Sequence, residues 1–105
     1  MTAISKIVKP LINENAVMVF SKSYCPYCNR AKAALKGINV EFKAIELDKE
    51  ANGSDIQAYL AELTKQRTVP NIFVKGHHIG GCDDTLAAIK SGKIQQLIKG
   101  EHAQL

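Results

Sequence analysis

No apolar run in this sequence approaches membrane length. The longest strictly apolar stretch, Ala16 to Phe20, has five residues, against the roughly 20 that a spanning helix needs. No membrane association is therefore expected. The first residues, Met1-Thr2-Ala3-Ile4-Ser5-Lys6, lack the basic cap and long apolar segment of a secretory leader. A reducing compartment, the cytoplasm, is the expected location. Tryptophan is absent and aromatic residues make up only 6% of the chain. With so few stacking rings, and no basic stripe that extends beyond one segment, nucleic acid is not an expected partner. Cysteine is scarce too. There are three, an odd number, and Cys25 and Cys28 are too near one another to close a useful loop. This excludes a disulfide-stapled scaffold. The chain has 105 residues and 46% hydrophobic content, enough for an ordinary core, so one domain over residues 1–105 is expected.

Acidic residues are missing from one segment in particular. Lys+Arg number 14 and Asp+Glu 10, which gives 14 − 10 = +4. Between Ser21 and Lys36 stand Lys22, Arg30, Lys32 and Lys36 and no acid. That local charge equals the whole net charge. It reads either as a solvated helix face or as a field that draws anions toward the cysteines.

What is present is a regular alternation of element signals. Ile4, Ile7, Val8 and Leu11 follow one face of a helix. Ala16 to Phe20 predicts a strand buried on both sides. Pro26 suits a first helical position; Ala31, Ala34, Leu35 and Ile38 continue that helix, and Gly37 can end it. Val40 to Leu47 predicts a second strand. Ser54-Asp55-Ile56-Gln57 has the form of a capping box, followed by a helix carrying Ile56, Tyr59, Leu60 and Leu63. Asn71–Val74 and His77–Ile79 flank Lys75-Gly76 as a hairpin. Leu86 and Ile89 start a helix that stops near Ser91-Gly92, and Ile94, Leu97 and Ile98 mark a last one. The order α-β-α-β-α-β-β-α-α predicts an α/β fold. Its four-stranded mixed sheet has a first parallel pair, a last antiparallel pair and about five helices on both faces.

Cys25-Pro26-Tyr27-Cys28 falls at the junction of the first strand and the second helix. With Pro26 at the first helical position, Cys25 is the N-cap, and its sulfur faces the unpaired N–H groups of the first turn. Those donors, the helix dipole and the Lys22 and Arg30 charges favour thiolate, the species that attacks disulfides. Cys28, inside the first turn, is expected to be the less exposed, resolving thiol. The competing use of C-x-x-C is half of a zinc site, which needs four ligands in all. The remaining candidates are Cys82, His77, His78 and His102, with no second C-x-x-C, and no metal is expected. His77 and His78 read as ordinary strand residues, and Cys82 as a small buried filler or a secondary oxidisable thiol.

Three motifs together resemble one family. Phe20-Ser21-Lys22-Ser23-Tyr24-Cys25-Pro26-Tyr27-Cys28 is similar to the active-site segment of dithiol glutaredoxins. Arg67-Thr68-Val69-Pro70 is similar to their second motif, and Gly80-Gly81-Cys82-Asp83-Asp84 to their third. The likeness runs from about Ile4 to Gly100. Thioredoxins proper carry Trp around their cysteines, and the monothiol iron–sulfur branch has Gly-Phe-Ser after its first Cys; neither matches.

The resemblance implies a thioredoxin fold, glutathione as co-substrate and electron transport between glutathione and protein thiols. It places Cys25 and Cys28 as catalytic residues. Lys22, Gln57 and Arg67 would meet the glycine carboxylate of glutathione. Within Thr68-Val69-Pro70, the Val69 main chain would pair with the cysteinyl part. Gly81, Cys82 and Asp83 would receive the γ-glutamyl end, and Tyr27 would flank the ligand. Each has a plainer reading: Gln57 as part of the capping box, Arg67 as a solvated charge, Asp83 and Asp84 as acids at a helix N-terminus. X–Pro bonds are mostly trans, but the resemblance implies a cis Val69–Pro70 bond. The function expected is that of a monomeric, glutathione-dependent thiol–disulfide oxidoreductase. The alternative is a homodimer that carries a [2Fe–2S] cluster through Cys25 and glutathione.

Overall fold

The computed structural model describes residues 2–100. Helix α1 (Thr2–Glu14) precedes strand β1 (Val17–Ser21), helix α2 (Pro26–Gly37) and strand β2 (Lys43–Glu46). A short 3-10 turn (Leu47–Lys49) then leads into helix α3 (Gly53–Thr64). Strands β3 (Asn71–Val74) and β4 (His77–Gly80) follow, then helices α4 (Cys82–Lys90) and α5 (Lys93–Lys99). The sheet order is β2-β1-β3-β4. β1 runs parallel to β2, with Ser21 opposite Glu46, and antiparallel to β3; β3 and β4 form the antiparallel hairpin. Lys75 and Gly76 both have positive φ, 51° and 82°, as a tight hairpin turn requires.

The period of a strand divides the core in two. Val17 and Val19 of β1 face Ala31, Leu35, Ala88, Ile94 and Leu97. Met18 and Phe20 face Val8, Ile12, Ile56 and Leu60. All of β1 is buried, which the apolar run predicts. Phe20 and Phe73 meet edge to face with centroids 6.0 Å apart. Among the described residues no helix is long and apolar enough to cross a membrane.

Several boundaries depart from expectation. Strand β1 lies one residue later than Ala16–Phe20. β2 keeps only Lys43–Glu46: the Val40 N–H is spent on the Leu35 carbonyl of α2, at 3.1 Å, and the ladder with β1 begins at Lys43. Ile7 is exposed, and Ile12 takes its place on the buried face of α1. The capping box at Ser54 does not form: α3 begins at Gly53 with Asn52 as N-cap. Helix α4 begins at Cys82, four residues before Leu86, with Asp84 Oδ2 accepting from the Gly81 N–H at 3.2 Å.

Candidate active site

Strand β1 ends at Ser21, and four residues later Cys25 caps α2. Its backbone is extended (φ −93°, ψ 111°) and Pro26 stands first in the helix. The Cys28 N–H donates to Cys25 Sγ at 3.1 Å. A helix N-terminus and an N–H therefore face the sulfur where negative charge collects when it leaves a disulfide. Cys28, three residues on, lies with Ala31 and Leu35 on the buried face of α2. Burial, then hydrogen bonding with Cys25, pushes its thiol from 9.0 up to about 11. All three cysteines are free thiols. An accessible sulfur beside a buried, protonated one is the arrangement that lets one thiol exchange and the other resolve.

The loop after α3 brings its main chain to the thiols. The Val69–Pro70 peptide is cis, and the Val69 carbonyl oxygen lies 3.8 Å from Cys25 Sγ. Beside it a groove of about 340 Å³ is lined by Tyr27, Thr68, Val69, Pro70, Gly81, Cys82, Asp83 and Asp84. Seven of these eight, all but Asp84, are residues that the resemblance assigns to the glutathione site. Lys22 stands next to the thiols, its carbonyl accepting from the Cys25 N–H at 3.2 Å. Gln57 and Arg67 do not line the groove. Gln57 Nε2 donates to the Arg67 carbonyl at 2.9 Å, a tie that replaces the expected cap. Arg67 itself borders a separate recess with Ala58, Ala61, Glu62 and Lys65.

The acid-free segment is not acid-free in space. Glu46 bridges Lys32, at 2.7 Å, and the Ser21 hydroxyl, at 2.9 Å. Asp48 accepts from both the N–H and the hydroxyl of Ser23, and those hydrogen bonds hold its carboxyl below the usual range. Arg30 lies 5.6 Å from the centre of the Tyr27 ring. Asp48, Glu46 and Gln66 were missed from sequence. The parallel register, which sets Ser21 against Glu46, is the signal that could have found two of them.

Cys82 is almost fully buried, and burial raises its thiol pKa. His78 bonds through Nε2 to Asn71 Oδ1 at 2.8 Å, on the far strand of the hairpin. His102 lies outside the described residues.

The glutaredoxin family model matches residues 17–79. Glutaredoxin-1 of Rhizophagus irregularis is 55% identical over 98 residues, covering 93% of this chain and 97% of that protein. The chain belongs to the glutaredoxin family. Glutaredoxin-C2 of Arabidopsis thaliana is 54% identical over 90 residues, 86% of this chain and 81% of its own. Among solved structures, a buckwheat glutaredoxin–glutathione complex superposes with a TM-score of 0.90 at 40% identity, over 94% of this chain and 90% of that one. The fold is the thioredoxin fold of glutaredoxins, and the Cys25–Cys28 spacing is that of their dithiol site. As a glutaredoxin, the chain is a thiol–disulfide oxidoreductase whose redox work depends on glutathione.

Proposed function

We propose that this glutaredoxin removes glutathione from protein–glutathione mixed disulfides through Cys25 alone, and reduces protein disulfides through Cys25 and Cys28 together. The observation that carries this reading is the groove at Val69, whose carbonyl is within 3.8 Å of Cys25 Sγ. In the first reaction the Cys25 thiolate attacks the glutathionyl sulfur and the protein thiolate leaves. A second glutathione thiolate attacks that same sulfur; oxidised glutathione departs and Cys25 is again a thiolate. In the second reaction Cys25 forms a mixed disulfide with the substrate protein. Cys28 gives up its proton and attacks Cys25, and the substrate thiol leaves reduced. Two glutathione molecules then reduce the Cys25–Cys28 disulfide.

The ligand assignments are those the family resemblance implies, and the groove supports them at Tyr27, Thr68, Val69, Pro70, Gly81, Cys82 and Asp83. The Val69 main chain pairs with the cysteinyl part as a short added strand, Thr68 and Pro70 shape that wall, and Tyr27 flanks it. The Gly81 N–H already donates to Asp84, so the γ-glutamyl carboxylate takes its donors from the Cys82 and Asp83 N–H groups in the first turn of α4. The Asp83 carboxylate receives the amino group. Lys22, Gln57 and Arg67 lie outside the groove lining, and their assignment to the glycine carboxylate rests on the family resemblance alone. The whole chain acts as one monomeric domain in a reducing compartment such as the cytoplasm, where the cycle serves redox homeostasis.

Two substitutions test the division of labour. Cys28→Ser is expected to keep deglutathionylation and lose reduction of protein disulfides; Cys25→Ser loses both. Activity in Cys25→Ser with none in Cys28→Ser would reverse the roles. The cluster-carrier reading predicts instead a coloured homodimer. The visible spectrum of anaerobically purified protein separates the two, and a colourless, active monomer is expected.

A further inference from the structure

Gln66 sits just past the end of α3. Lys65 closes that helix with a left-handed backbone, φ 66°. The Gln66 N–H donates to Thr64 Oγ1 at 3.1 Å, and Thr64 Oγ1 donates to the Leu60 carbonyl at 2.8 Å. The backbone of Gln66 is therefore tied to the last turn of the helix. Its half-buried side chain then runs alongside the next four residues. Nε2 donates to the Thr68 carbonyl at 3.0 Å and to the Pro70 carbonyl at 2.9 Å. A primary amide nitrogen has two hydrogens, and both are used on these two oxygens. The carbonyl between them is that of Val69, the one beside Cys25 Sγ.

Ordering a glutamine side chain costs conformational entropy. Here that cost secures the two carbonyls on either side of one residue. Gln66 does not line the groove, so it does not face the ligand itself. We propose that Gln66 is a positioning residue for the glutathione site: by holding the Thr68 and Pro70 carbonyls on its own side, it fixes the Val69 main chain toward the ligand and Cys25. The proposal rests on the reading that the Val69 main chain receives the cysteinyl part of glutathione.

Gln66→Glu tests it with little change of size. The variant loses both donors and sets a carboxylate against two carbonyl oxygens. The assay compares kcat/KM for one peptide carried as its glutathione mixed disulfide and as its cysteamine mixed disulfide, which lacks the γ-glutamyl and glycyl ends. The wild type is expected to prefer the glutathione form. In the variant that preference falls roughly tenfold, as for the loss of two ordinary hydrogen bonds, and the fall is in KM for the glutathione form. A purely structural role would lower Tm and slow both peptides alike; an unchanged preference overturns the proposal. If Gln66→Glu does not fold, Gln66→Ala removes the donors without adding charge and is judged by the same ratio. A wild type with no preference would defeat the glutathione reading itself, and this inference with it.

Discussion

At the scale of the residue, the two thiols of one motif live in different solvents. Cys28 has no exposed surface, and its thiol keeps its proton up to about pH 11, against 9.0 for the free group. An unfolded chain gives up that proton about two units earlier. Between those values the folded state binds more protons, so stability falls as pH rises. The loss from this one group reaches about 3 kcal/mol at most. Urea midpoints of the reduced wild type and of Cys28→Ser, each at pH 8 and pH 10.5, isolate it. The wild type is expected to lose more stability between the two pH values than the variant. Equal losses would show that the Cys28 thiol is not held protonated by the fold. The unequal burial was legible in the sequence, because Pro26 fixes where α2 starts and hence which cysteine points inward.

At the scale of the element, the 3-10 turn Leu47–Lys49 deserves as much weight as the helices. It carries Asp48, whose carboxylate ties down Ser23 just ahead of Cys25. α3 begins hard against this turn: a methyl group on Gly53 would overlap the Leu47 carbonyl oxygen. Gly53→Ala is therefore expected to cost about 1–3 kcal/mol, the usual range for overpacking, seen as a lower urea midpoint at unchanged m. A midpoint equal to the wild type would mean that the turn is free to shift. Nothing local in Asn52-Gly53 reveals a carbonyl so close to the Gly53 Cα. The apolar period alone put the start of α4 at Leu86, and only the acids Asp83 and Asp84 pointed to its earlier first turn. Cys82-Asp83-Asp84 shows no apolar period, and its cap is a glycine. Gln66 escaped because its partners are backbone carbonyls, which no residue pattern records.

At the scale of the whole molecule, the order of elements and the sense of the strand pairs followed from periodicity and connection length. The two half-cores followed from the alternation along β1. What the linear reading could not supply was charge in space. The parallel register carries Glu46 to Ser21 and Lys32, and the turn beyond it carries Asp48 to Ser23. The basic segment is thus partly neutralised. The glutathione half of the account came from motif resemblance, and the groove beside Cys25 is where those motifs converge.

The central claim is that Cys25 alone takes up the glutathionyl group. Mass analysis of Cys28→Ser after exposure to a glutathionylated peptide, with no free glutathione present, tests it most directly. The account predicts one glutathionyl adduct, located at Cys25 by peptide mapping and released on adding glutathione. An adduct at Cys82, or none at Cys25 while the peptide is still reduced, would contradict it.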